Sequence, residues 1–149
     1  MQKRRCSKAI ARICGDVEYP KLHGMARFFQ CNDGVIVEVE MHGLPKTETS
    51  FFAFHIHDGD NCEGIGFPNA GSHFNPYNTM HPQHAGDLPP LLGCRGKAYM
   101  KVFTDRFCVE EIIGKTVIVH SAPDDFRTQP SGNAGTKIAC GMIKKQTHL

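Results

Sequence analysis

Apolar residues in this 149-residue chain recur at every second position, and no segment holds an apolar stripe at helical spacing over three turns. The pattern restricts the chain to β-strands, because strand side chains alternate between two faces while helical ones return to a face every three or four residues. Residues 35–41 show it best. Val35, Val37, Val39 and Met41 share one face, Glu38, Glu40 and His42 mark the other as solvent, and only Ile36 dilutes the alternation. The turn residues Asn32-Asp33-Gly34 lead into this run. By the same reading strands are expected at 9–14, 22–31, 51–57, 97–104, 116–121 and 138–143, the last tolerating Gly141 at a bulge or close crossing.

Two long segments lack strand patterning: 58–92, rich in Gly, Pro, Asn and His, and 122–136, rich in Pro, Asp, Ser and Gly. Loops of this length inside a compact domain are functional or disordered, and these two carry most of the unusual side chains, which favours function. Short strands at regular spacing predict an all-β antiparallel sandwich or flattened barrel with two long functional loops, as one domain over 1–149. Residues 1–8, with Lys3, Arg4 and Arg5, read as a flexible N-terminal tail. A formal net charge of +2 is too mild to imply nucleic acid or a membrane surface as partner. No apolar stretch reaches the length of a membrane-spanning helix or a signal-peptide core, so a cytoplasmic location is expected. The seven cysteines are odd in number and contain no C-x-x-C motif, and most are expected to be buried small hydrophobes.

Nine histidines exceed what a packed core uses, and six of them fall with one aspartate in three clusters: His55-x-His57, then His73, His81, His84 and Asp87, then His120. On a strand His55 and His57 point the same way while Ile56 points the other, which makes a chelating pair on a rigid base. Two half-exposed polar residues on an outer sheet face explain that pair equally well, since H-x-H also arises by chance. The second cluster shifts the balance. Its nitrogen and oxygen donors lie in one Gly/Pro-rich loop and suit a closed tetrahedral zinc site, which would order a loop that has no core of its own. His120 follows the β-branched run Val117-Ile118-Val119 and so ends a strand. Each histidine singly is better explained as a satisfied polar residue; all six together are not.

The longer motifs around these residues carry a resemblance. Phe54-His55-Ile56-His57 with Gly59-Asp60-Asn61, Gly71-Ser72-His73-Phe74-Asn75-Pro76, His84-Ala85-Gly86-Asp87-Leu88, the run from Ile113 to His120, Asp124-Asp125, and the run from Gly132 to Gly141 follow one another in a familiar order. In spacing and residue type the chain resembles the copper/zinc superoxide dismutases from about residue 9 to 143. The resemblance implies a Greek-key, immunoglobulin-like β-barrel, copper and zinc as cofactors, and superoxide anion as substrate. Position by position, it implies copper held by His55, His57, His73 and His120, zinc held by His73, His81, His84 and Asp87, and His73 bridging the two. It gives catalytic roles to His73, which delivers a proton to the peroxide, and to Lys137, which stands where the family has the arginine that steers and docks superoxide. Asp124 matches the carboxylate that accepts hydrogen bonds from one histidine of each metal, here His55 and His81. Cys62 and Cys140 match the intrasubunit disulfide. A homodimer and a copper donor protein are the partners that the family implies, and His23, His42 and His148 match no ligand.

Three departures set further expectations. Lys137 keeps the charge of the arginine but not its planar two-pronged donor, so a working but slower enzyme is expected. Only Pro82 and Gln83 separate His81 from His84, so both reach one metal only if the chain turns tightly at Pro82. Lys144 and Lys145 replace the apolar tail of the animal members, which leaves dimerisation through that surface open. The competing function is a non-catalytic copper-binding or copper-transfer module on the same fold. It is disfavoured because all four copper positions are filled and a cation occupies the anion-guiding position.

Overall fold

In the computed structural model, which describes residues 7–147, the alternating run becomes β3 (Val35–His42), with Val35, Val37, Val39 and Met41 buried and the residues between them at least partly exposed. β1 (Lys8–Gly15) and β2 (His23–Gln30) alternate in the same way and bury Ala9, Ala11, Ile13, Ala26 and Phe28. Five more strands, β4 (Phe51–His57), β5 (Asp87–Leu92), β6 (Ala98–Thr104), β7 (Thr116–His120) and β8 (Lys137–Lys145), complete one antiparallel sheet in the order β5-β4-β7-β8-β1-β2-β3-β6. The edge strands β5 and β6 meet, so the sheet curls into a nearly closed barrel. Chain crossings from β3 to β4 and from β6 to β7 give Greek-key connectivity. Phe28, Phe52, Phe54, Leu91 and Ile112 are fully buried inside the barrel, each contributing about 1.5–3 kcal/mol through removal from water.

β4 and β7 are buried on both faces, unlike β1 to β3. On β7, Val117 and Val119 point into the barrel, whereas Ile118 points outward into a second small cluster with Phe67, Ala70 and Cys140. That cluster is the long loop after β4 folded back over the sheet. A disulfide between Cys62 and Cys140, 78 residues apart, fastens it there, and closing so long a loop removes about 4–5 kcal/mol of unfolded-state entropy.

Several expectations need correction. The first long loop ends at Gly86, because residues 87–92 form β5; Pro89-Pro90 hides this strand, since proline cannot donate to a ladder. The structure accommodates the two prolines on an edge strand beside a register shift. Phe52 pairs with Leu91 and Phe54 with Leu88, while Ala53 N–H turns instead to Ala122 O at 2.9 Å. A single helical turn, α1 (Val109–Ile112), precedes β7; the Glu111 carboxylate accepts the Cys108 N–H at 2.9 Å to start it. The expected tail runs too far, because Lys8 opens β1; the Lys3–Arg5 charges, Cys6 and His148 lie outside the described residues. Cys14, Cys94 and Cys108 are exposed rather than buried, and Cys31 is only partly covered. Among the described residues no helix is long and apolar enough to cross a membrane.

Candidate metal centre

His55 and His57 stand on the outer face of β4, opposite Ile56, and His120 closes the neighbouring strand β7. The loop is laid over them by two backbone hydrogen bonds to Ile56 itself, Ile56 N–H to Gly86 O at 2.9 Å and Phe74 N–H to Ile56 O at 2.8 Å, and by one that ties the loop to itself, Gly86 N–H to Phe74 O at 2.9 Å. Only glycine fits at position 86, where a Cβ would collide with Ile56 O. These bonds pair His73 with His57 and bring His84 and Asp87 over the same strand. All six expected histidines are buried, as is Asp124, with Asp87 at 9 % exposure.

Hydrogen bonds on the far side of each ring decide where the lone pairs point. Asp124 Oδ2 lies 2.8 Å from His55 Nε2 and Asp124 Oδ1 2.8 Å from His81 Nε2, so both rings donate from Nε2 and keep a bare Nδ1. His57 donates from Nδ1 to Gly71 O at 2.8 Å, which leaves Nε2 bare. The bare His55 Nδ1 and His57 Nε2 then meet His120 Nε2 at 3.2 and 3.3 Å. One hydrogen at His120 cannot satisfy two acceptors, and His73 Nε2 is buried with no partner at all. Four imidazoles converging with surplus lone pairs fit a cation that accepts nitrogen donors. Burial favours the neutral form of three of them: it lowers the pKa of His55, that of His57 to about 3, against the hydrogen bond to Gly71, and that of His120 to about 2, with neighbouring imidazoles adding to the effect.

The second set gathers around Asp87. Its Oδ1 lies 2.8 Å from His73 Nδ1, its Oδ2 3.2 Å from His84 Nδ1, and His73 Nδ1 and His84 Nδ1 are 3.3 Å apart. His81 Nδ1 comes within 3.0 Å of Asp87 Oδ2 but out of hydrogen-bond alignment, so it too is buried and unpaired. His73, His81, His84 and Asp87 thus form a compact three-nitrogen, one-oxygen group that suits zinc, and His73 belongs to both groups. Burial would raise the Asp124 pKa, but the hydrogen bonds from His55, His81 and Phe126 N–H hold its carboxyl well below the usual carboxylate range. Asp87 is likewise held low against its burial, by His73 first.

Lys137 opens β8 directly across from His120 in the β7–β8 ladder. It shares a cleft of about 360 Å³ with His57, His73 and His120, and its Nζ donates to Phe67 O at 3.3 Å. Partial burial lowers its pKa from the ordinary lysine value.

The family model described as copper/zinc superoxide dismutase matches residues 22–143. This chain belongs to the copper/zinc superoxide dismutase family. Its relatives include superoxide dismutase [Cu-Zn] 2 of Aquifex aeolicus, 34 % identical over 136 residues that cover 81 % of this chain and 78 % of that protein. Superoxide dismutase [Cu-Zn] A of Xenopus laevis is 35 % identical over 91 % of this chain and 96 % of its own length. Superoxide dismutase [Cu-Zn] of Deinococcus radiodurans is 30 % identical over 83 % of this chain and 78 % of its own length.

In this member of the family the shortened turn between His81 and His84 is held by residues that the sequence reading passed over. Gln129, on the second long loop, accepts His81 N–H at 2.9 Å and donates to His81 O at 2.6 Å. Arg106 donates to Pro82 O at 2.7 Å and to His84 O at 3.2 Å. Gly132, marked in the sequence only as the start of a motif, acts through its missing side chain: a Cβ there would strike Asp124 Oδ1 and His81 Nε2, and its φ of 74° is in the left-handed region. Its place inside the Gly132–Gly141 motif was the available signal. For Arg106 and Gln129 there was none.

Proposed function

We propose that this protein is a superoxide dismutase, converting two superoxide anions and two protons to one dioxygen and one hydrogen peroxide. The observation that carries the reading is the meeting of two donor sets on one imidazole, His73, whose Nδ1 faces Asp87 and His84 while its Nε2 is buried without a partner. His55, His57, His73 and His120 are assigned to copper, because imidazole donors suit that metal and the reaction needs one that changes oxidation state. His73, His81, His84 and Asp87 are assigned to zinc. When bound, copper supplies the one-electron couple and zinc a fixed divalent charge.

The chain's own residues bind, orient and move protons. Lys137 places a positive charge in the cleft beside His57, His73 and His120 and attracts the anion. Asp124 holds one ring of each set, His55 and His81, in a fixed orientation. His73 Nε2 is the atom at which a proton is held and given to the reduced product, while Nδ1 stays turned toward Asp87 and His84 as part of the second donor set. A copper-donating protein supplies the metal, and any homodimer forms away from the end of β8, where Lys144 and Lys145 are exposed.

The test is to load metal-free protein with copper and zinc and follow superoxide decay optically. Fast decay only in the doubly loaded protein is expected. Decay no faster than with the metal-free chain overturns the assignment.

A further inference from the structure

Cys14 on β1 is an exposed free thiol, and the residue directly across the β1–β8 ladder is Cys140, half of the disulfide to Cys62. Directly opposed residues of an antiparallel pair project from the same face. The kind of pair follows from the ladder's ends. Asp16 N–H donates to Ile138 O and Gln146 N–H to Lys8 O, both in the same register and at even offsets from Cys14, so Cys14 and Cys140 are also a hydrogen-bonded pair. Such a pair has Cα atoms about 5.5 Å apart, a separation that a disulfide spans without backbone movement. Cys14, Cys62 and Cys140 line one cleft of about 350 Å³.

On its other side Cys14 opposes His23. Gly15 N–H donates to Leu22 O in that ladder, which makes Cys14–His23 a non-hydrogen-bonded pair, the kind with side chains closest. His23 Nδ1 donates to Lys21 O at 3.0 Å, so its Nε2 is a free acceptor.

We infer that Cys14 is a resident exchange thiol for the Cys62–Cys140 disulfide. The Cys14 thiol gives its proton to His23 Nε2, and the thiolate attacks Cys140 Sγ. The Cys14–Cys140 bond forms as the Cys62–Cys140 bond breaks, and Cys62 leaves as a thiolate that takes up a proton. One thiol and one disulfide stand on each side of the step, so neither oxidant nor reductant is needed. The exchange frees the loop after β4 from β8 at constant disulfide content and so loosens the segment that carries His73, His81 and His84.

Metal-free protein held at mildly alkaline pH, then acid-quenched, alkylated and digested, reports the step by mass mapping. A Cys14–Cys140 peptide pair with alkylated Cys62 is expected in the parent and lost in Cys14→Ser. His23→Gln slows the appearance of that pair several-fold without changing the final proportion; an unchanged rate overturns the role given to His23. A map with Cys62–Cys140 as the only linked pair overturns the inference. So does one in which Cys31, Cys94 or Cys108 is linked to Cys140 as often as Cys14 is, because that pattern is scrambling through unfolded chain. In Cys62→Ser, mild oxidation with oxidised glutathione is expected to join Cys14 to Cys140, and a Cys140 thiol that stays free or takes only glutathione counts against it.

Discussion

The two donor sets share His73 but are built differently. His55, His57 and His120 stand on adjacent hydrogen-bonded strands, so the ladder that makes the barrel also sets their spacing. His81 and His84 stand on a segment with no ladder of its own, and single fasteners hold them: Gln129 and Arg106 on the backbone, Asp124 and Asp87 on the rings. Ordering such a segment costs about 1–2 kcal/mol per residue in backbone entropy, which a bound metal helps to offset. One set is presented by the fold; the other is assembled by polar side chains and, in the proposed reading, completed by its ion.

The largest effect is expected from breaking the strand-borne set. His57→Ala removes a buried imidazole assigned to copper and leaves His120 Nε2 facing a gap, so superoxide decay should fall to the metal-free rate while circular dichroism keeps its β signature. Retention of zinc by that variant separates the two sets, and loss of both metals together would contradict their different construction. Metal removal comes next. With free metal at a thousandfold excess over its Kd, binding to the folded state adds about 4 kcal/mol, so stripping both ions should lower the melting temperature markedly. Hydrogen exchange should then rise over 58–86 and 122–136 and stay slow in β1, β2 and β3; uniform acceleration would show that the strands depend on metal too. Asp124→Asn ranks third. An amide cannot accept from both His55 Nε2 and His81 Nε2 with two oxygens, so affinity for copper and for zinc should each fall about 10- to 100-fold, measured by competition with chelators. A loss confined to one metal would mean that Asp124 orients only one set.

Legibility in the sequence follows the same division. Period-two patterning marked β3 and β4 and placed His55 and His57 on one face, because strand geometry is local. β5 was hidden, since its two prolines speak against a strand and only its edge position beside the shift at Ala53 tolerates them. The ligands stood out as clustered histidines, whereas the groups that aim them did not: the Gly71 carbonyl that orients His57 belongs to a backbone group every residue has, and Arg106 reaches Pro82 and His84 only after β6 folds against the loop. Cys14 could have been placed correctly, because it shares its strand parity with the exposed Arg12 rather than with the buried Ile13.

A milder perturbation of the loop-borne set is Arg106→Ala. The guanidinium lies at the surface, so water replaces much of what Pro82 O and His84 O lose, and the net cost is about 1 kcal/mol. Zinc affinity should therefore fall about fivefold with copper affinity unchanged, as read by separate chelator titrations. An equal fall for both metals would show that His73 transmits slack in the loop to the strand-borne set.

The smallest effect is expected at Lys137, which belongs to a strand and which the proposed function gives a part in the approach of the substrate. Two unit charges about 7 Å apart in water attract by about 0.6 kcal/mol, close to RT, so Lys137→Ala should slow superoxide decay about threefold and flatten its dependence on salt. Lys137→Arg should raise the rate above the parent, because a guanidinium offers two parallel donors where the ammonium offers one point charge. The pH dependence has a definite sign. Burial lowers the Lys137 pKa, and the charged form is the attractive one, so the rate should decline as pH rises through a value below that of an exposed lysine. In Lys137→Arg the cation persists at high pH, so this alkaline decline should disappear at constant ionic strength. A decline that remains at the same pH in the arginine variant belongs to another group, and the charge at the cleft would then be only one contributor to the approach of the anion.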